Sequence, residues 1–323
     1  MSERRRALSR GRLAVTLILV ALGAAGCAGG QERPSEGGSE FEIGLIADFP
    51  YNAEQEAQAE SIFDELNGEE LAFVVHAGDI KGGSSPCDDE TYRKELERFE
   101  GSENPLIYTP GDNDWLDCHR TGYDPNEQLQ RVRETFFTGD ESFGERTIEL
   151  TRQSEDYPEN ARWNYGGVTF ATLHIVGGNN GLNSNNDQDE YDARNEANLA
   201  WLEETFEKAR SEESAGVMLF IQANVFEEDT EDPSGFADFT EALEQEVTSY
   251  DGPVVLVHGD THNFRIDQPM KSSTTDRRVE NFTRVETFGD PYTHWVRTTV
   301  DTRDAEIFSF QPEIVEENVA STP

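Results

Sequence analysis

The chain has 323 residues, 35% of them hydrophobic and 10% aromatic, enough to bury a sizeable core and to build one large α/β domain. Its 66 Asp and Glu outnumber 26 Lys and Arg, and the resulting net charge of -40 repels nucleic-acid phosphates, which argues against a DNA or RNA partner. A surface so rich in carboxylate stays hydrated, and the expected state is a monomer.

Residues 1–26 have the layout of an export signal: a basic stretch through Arg12, an apolar run from Leu13 to Leu22 too short to span a bilayer, then Ala24-Ala25-Gly26-Cys27. The last four resemble a bacterial lipobox, in which Cys27 becomes the lipidated first residue. Residues 27–40 would then be the lipidated Cys and a flexible tether, and 41–323 a domain held at the cell envelope. The alternative is a cleaved signal, an incidental Cys27 and a secreted protein. Export leaves Cys87 and Cys118 in an oxidising compartment, where they are expected to pair and contribute roughly 3 kcal/mol through chain entropy.

Five apolar segments of strand length follow: Phe41 to Ala47, Leu71 to Val75, Pro105 to Thr109, Val217 to Ile221 and Pro253 to Val257. Helical spacing occupies Ala53 to Leu66, Asp89 to Phe99, Pro125 to Phe137, Glu190 to Ala209 and Phe236 to Val247. Phe143 to Ala161 is polar and irregular, and Val168 to Val176 alternates as a strand. Further strands are expected at Phe264 to Ile266, Asn281 to Thr287, His294 to Val300 and Ile307 to Phe310.

Each of the five apolar segments runs into a polar motif: Ala47-Asp48-Phe49-Pro50, His76-Ala77-Gly78-Asp79, Pro110-Gly111-Asp112-Asn113-Asp114, Gln222-Ala223-Asn224 and His258-Gly259-Asp260-Thr261-His262. Polar groups placed at strand ends should converge at one sheet edge, and converging carboxylates repel unless a cation sits among them. A metal-centred site is therefore expected.

In order and spacing these motifs resemble the calcineurin-like metallophosphoesterase superfamily, over roughly residues 41 to 310. Pro50 stands where the first motif usually has His, Asp112 replaces Asn, Asn113 the usual catalytic His, Gln222 or Asn224 a lone His, and Asp260 another His. The resemblance implies a two-sheet αββα sandwich of α/β class. It also implies hydrolysis of small phosphomonoesters or phosphodiesters by a metal-activated water. One metal would be held by Asp48, Asp79 and His262, a second by Asp79, Asp112, Asp260 and Gln222 or Asn224. One or two divalent ions are expected, Mg²⁺, Mn²⁺ or Ca²⁺ favoured by the oxygen donors, with Zn²⁺ or Fe as alternatives.

Asn113 and Asp114 take the catalytic positions of the third motif, and His119 is the candidate replacement for the missing acid. Arg120 and Arg162 are candidates for gripping phosphate. Pairing with the plentiful carboxylates is the competing reading for both arginines, and a structural loop hydrogen bond is the competing reading for His119. His76 and His258 are expected in the core. The alternative function is a non-catalytic lipoprotein that binds a metal or ligand on the same fold.

Overall fold

The computed structural model describes residues 39–182, 188–227 and 233–319. The export signal, Cys27 and most of the tether lie outside the described residues. Among the described residues no helix is long and apolar enough to cross a membrane.

Strand alternation explains the layering. In β1 (Glu40–Ile46), β2 (Phe73–His76) and β3 (Leu106–Tyr108), Ile43, Leu45, Phe73, Val75 and Ile107 point to one face, while Val74, Leu106 and Tyr108 point to the other. The second face is covered by three helices, α1 (Ala53–Asn67), α2 (Asp89–Glu100) and α3 (Pro125–Phe136). Each starts on a side-chain cap, Asn52, Asp88 and Asp124, that accepts from the free amides of the first turn. A 3-10 turn, Leu116–Thr121, precedes α3.

The same alternation recurs in the second half. β4 (Thr151–Arg152) and β5 (Ala161–Tyr165) lead into β6 (Val168–Thr172), a single turn α4 (Gly177–Asn180) and the long α5 (Gln188–Ser211). Then come β7 (Val217–Phe220), α6 (Ala237–Thr248), β8 (Val254–His258), β9 (Arg265–Asp267), β10 (Phe282–Glu286), β11 (Trp295–Asp301) and β12 (Phe308–Glu313). Phe170, Met218, Phe220, Val255 and Val257 face the first sheet, and Ala171, Leu219 and Leu256 face α5 and α6.

The sheets run β12-β11-β1-β2-β3 and β4-β5-β6-β7-β8-β10-β9, and their apolar faces meet in one shared core. With helices on both outer faces this is the expected αββα sandwich. β1, β2 and β3 are parallel, as are β6, β7, β8 and β10, so two sets of carboxyl-terminal strand ends lie at the same end of the sandwich.

Three expectations need correction. The polar segment from Phe143 to Ala161 carries β4 and the first residue of β5, because two residues that pair at a sheet edge leave no periodic signal. The strand from Val168 stops at Thr172, where the chain turns out toward α4. The site motifs converge from the ends of two sheets rather than from one sheet edge.

A buried polar knot lies between α3 and the end of β6. Glu159, fully buried, meets His174 Nδ1 at 2.8 Å and Arg133 Nη2 at 2.6 Å. Burial pushes its carboxyl up, but the His174 hydrogen bond and the Arg133 charge overcome this and hold it down at about 2. A depressed carboxyl contributes stability above its unfolded value, about 4.3, and loses it as pH falls toward the folded value. Glu159→Gln is expected to flatten the acid limb of stability between about pH 4 and pH 2, read as urea midpoint against pH. Phe73, fully buried edge-on to Phe170 and Trp163, gives a second test: Phe73→Ala is expected to cost about 3–5 kcal/mol in the same titration.

Candidate metal centre

Four of the motif residues sit at positive φ: Asp48 (61°), Asp79 (59°), Asp260 (80°) and His262 (59°). Non-glycine residues rarely adopt this conformation, and it turns each side chain sharply inward just past a strand end. Close approach is then possible only because glycines face the carboxylates. A Cβ on Gly111 would lie 2.0 Å from Asp79 Oδ1, and one on Gly259 would lie 2.2 Å from Asp48 Oδ2.

Around this centre the contacts are specific. The Asp260 amide donates to Asp48 Oδ2 at 3.0 Å, the Asn113 amide to Asp79 Oδ1 at 3.0 Å, and the Asn224 amide to Asp260 Oδ2 at 2.8 Å. His262 Nε2 stands 3.9 Å from Asp48 Oδ1. A Cβ on Gly177, at the start of α4, would lie 2.7 Å from Asp260 Oδ1 and 2.9 Å from Asp112 Oδ1, which places Asp112 beside Asp260. Asp48, Asp79, Asp112, Asp260 and His262 are thus brought together.

Electrostatics follow from that crowding. The carboxyls of Asp48, Asp79 and Asp112 are all pushed well above the usual range, first by burial and then by neighbouring carboxylates, Asp260 for Asp48 and Asp112, and Asp112 for Asp79. Burial lowers His262, so its imidazole is neutral at neutral pH and offers a lone pair. Lys81, only 2% exposed, lies near enough for Asp114 and Asp79 to oppose the downward push of burial on its ammonium.

Several candidate residues do other work. Asp114 is fully buried, and it accepts from the amides of Asp79, Ile80 and Gly111 and from the Tyr108 hydroxyl at 2.7–3.0 Å, so it staples the second and third motif loops together. Gln222 directs its NH₂ at Asp79 Oδ2 and Asp260 Oδ1, both 3.2 Å away, while its carbonyl oxygen accepts from Gly177 N at 2.6 Å; it ties two carboxylates together rather than offering an oxygen ligand. The Asn224 amide is engaged by Thr261 and Arg284. His119 Nδ1 bonds Leu116 O in its own turn, the competing reading for that residue.

The two arginines separate. Arg162 lies on β5 with its guanidinium 4.4 Å from the centre of the Trp201 ring of α5, on the helix-covered face of the second sheet, so the structure corrects its assignment to substrate. Arg120 bonds Asp117 Oδ2 at 2.5 Å and remains 52% exposed. A Cβ on Gly83 would come within 2.7 Å of Arg120 Nη1 and 2.5 Å of Asn113 Oδ1, so both side chains border the same small space one residue from Asp112. Cys87 and Cys118 are joined in a disulfide, tying the loop after Asp79 to the turn that carries Arg120.

Sequence reasoning missed Tyr51, whose hydroxyl lies 3.1 Å from Asp79 Oδ2 and 3.4 Å from both Asp48 Oδ1 and His262 Nε2. Its signal was its position, three residues after Asp48 and immediately before the Asn52 cap. Lys81, two residues after Asp79 and one of only four lysines, was visible in the same way.

The donor set fits a hard divalent cation: carboxylates packed against one another beside a neutral imidazole. Among the described residues no three His, Cys, Asp or Glu side chains form such a group by themselves. Any shell here must draw on the other oxygens that reach the same point.

A two-sheet sandwich with aspartates and a histidine past its strand ends is the arrangement that the motif resemblance implied. The chain belongs to the calcineurin-like phosphoesterase family, whose sequence model matches residues 41–264. Its fold is similar to that of PhoD, with a TM-score of 0.54 and 13% identity over 84% of this chain and 65% of PhoD. This chain therefore spans less than two thirds of that protein. It is also similar to a dimetal phosphatase from Danio rerio, with a TM-score of 0.50 and 13% identity over 81% of this chain and 95% of that one. No curated protein sequence matches it.

Because the carboxylates repel, Asp112→Asn is expected to raise the melting temperature of the chelator-treated protein and to shrink the further rise that Mn²⁺ or Ca²⁺ produces. Scanning calorimetry with and without added ion reads both effects.

Proposed function

We propose that the protein is a divalent-metal-dependent phosphoesterase that hydrolyses small phosphomonoesters or phosphodiesters at the cell envelope, where a lipid on Cys27 would anchor it. The observation that carries this reading is the convergence of Asp48, Asp79, Asp112, Asp260 and the neutral His262 imidazole at two sets of strand ends. Asp48, Asp79 and His262 would contribute to one ion position, and Asp79, Asp112 and Asp260 to a second, each completed by further oxygen donors. Bound there, divalent ions supply Lewis acidity that activates water and neutralises phosphoryl charge.

The chain's own residues do the rest. Asp79 faces both groups and is itself oriented by the Asn113 amide and the Gln222 NH₂. Arg120, with Asp117 fixing one edge of its guanidinium, presents its exposed side to phosphoryl oxygens next to the Asn113 carboxamide. Strong carboxylate repulsion elsewhere makes this local positive charge necessary for an anionic substrate to enter.

A second reading, a binding protein without turnover, is favoured by one observation: Asn113 cannot transfer a proton, and His119 is bonded within its own turn. Assay of the full chain after chelation, with Mg²⁺, Ca²⁺, Mn²⁺ or Zn²⁺ restored over a panel of phosphomonoesters and diesters, separates the two. Restored turnover that drops at least about 100-fold in Asp79→Asn with unchanged circular dichroism supports the enzyme. Ion binding with no turnover across the panel supports the binding protein. Arg120→Ala is expected to lower kcat/KM by about 10- to 100-fold, the worth of a charge-assisted contact.

A further inference from the structure

Tyr51 presents a chemical imbalance. A phenol has one proton to donate, yet its oxygen faces two carboxylate oxygens and an imidazole nitrogen: Asp48 Oδ1 at 3.4 Å, Asp79 Oδ2 at 3.1 Å and His262 Nε2 at 3.4 Å. One hydroxyl proton cannot satisfy both carboxylate oxygens, whichever tautomer the imidazole takes.

The spacing of these atoms suits another arrangement. Donors about 2.1 Å from one ion lie about 3.0 Å apart at a right angle and about 3.4 Å apart at a tetrahedral angle. The three Tyr51 distances fall between 3.1 and 3.4 Å, and His262 Nε2 to Asp48 Oδ1 is 3.9 Å. The three Tyr51 distances match ligands that share an ion, while the His262–Asp48 separation is wider than either angle gives.

Tyr51 is also firmly placed. Its amide donates to Gln55 Oε1 at 2.6 Å, Gln55 Nε2 in turn bonds Asp290 Oδ1, and the phenol ring packs edge-on to the His262 ring at 5.5 Å. Asn52, the next residue, caps α1 through the amides of Glu54 and Gln55. The hydroxyl is therefore held at the cluster by a helix start, by the loop that carries Asp290 and by the imidazole it faces.

We propose that Tyr51 is a metal ligand: its oxygen completes the first cation position with Asp48, Asp79 and His262, supplying the donor that Pro50 cannot. The proposal rests on the phosphoesterase reading of this cluster and adds a residue to it. A phenol oxygen in place of an imidazole makes the position harder, so Mn²⁺ is the probe of choice and Zn²⁺ the comparison.

The experiment is calorimetric titration of Mn²⁺ into the chelator-stripped full chain and its Tyr51→Phe variant, with ultraviolet difference spectra recorded on loading. The expected result is an affinity at least about tenfold weaker for one ion in Tyr51→Phe, with a phenol difference band in the wild type that the variant lacks. The ratio of Mn²⁺ to Zn²⁺ affinity is expected to fall in the same variant. Equal Mn²⁺ affinities in the two proteins would overturn the assignment of Tyr51 while leaving the phosphoesterase reading intact. A wild type that binds no ion would overturn both. Thermal unfolding of the ion-free variant checks its fold; should it fail to fold, the wild-type difference spectrum decides, and its absence overturns the proposal.

Discussion

Repulsion among buried carboxylates is the constraint around which this molecule is arranged. Asp48 and Asp79 are at most 3% exposed, and each is pushed toward its neutral form by burial and by a neighbouring aspartate. Holding such groups together opposes folding, so other parts of the structure must fasten them in place. The fasteners are visible: amides of Asp260, Asn113 and Asn224, the Gln222 NH₂ and the Asp114 staple. None of these brings a positive charge to the carboxylates. The arrangement thus holds the carboxylates in position while leaving their repulsion available to a cation.

The sandwich supplies the rigidity this needs. Strand ends on two sheets that share one core cannot drift independently, because moving a strand would open a close-packed interface. Loops then act over short distances from fixed points. Glu286 at the end of β10 shows the same logic: it accepts from Thr261 Oγ1 at 2.6 Å and from Asn263 N at 2.7 Å, bracketing His262 from both sides. The disulfide does the equivalent work for the Arg120 turn, which has no strand of its own.

Much of this was legible in the sequence, for a physical reason. A continuous apolar run such as Val217 to Ile221 reports burial on two faces, and the αββα architecture follows once such strands alternate with amphipathic helices. Asp48, Asp79, Asp112, Asp260 and His262 were legible because each ends an apolar run. Gln222 and Asn224 occupy the same kind of position, and only side-chain direction separates them from ligands: the Gln222 carbonyl is claimed by the Gly177 amide, a residue 45 positions away. Arg162 misled because a guanidinium in sequence carries no sign of the Trp201 ring beneath it. Tyr51 escaped notice because its ring looks like a core residue and its hydroxyl acts only after the chain has turned through Asp48.

That turn explains how a lost ligand and a gained one can share a motif. An imidazole two residues after Asp48 would reach the centre directly from the strand end. Proline at that place has no polar group to offer, and its ring restricts the backbone as it leaves the strand. The next residue then lies between the end of β1 and the cap of α1, where a side chain as long as tyrosine spans the gap that a histidine would have bridged from one residue closer. In the proposed second position oxygen would take over in the same way, through Asp112 and Asp260. Both changes lower the nitrogen content of the proposed site, and together they would select for ions that prefer oxygen. The divergence of the motifs is then one coherent shift in ligand chemistry, carried by residues that the same strand ends deliver to the same place.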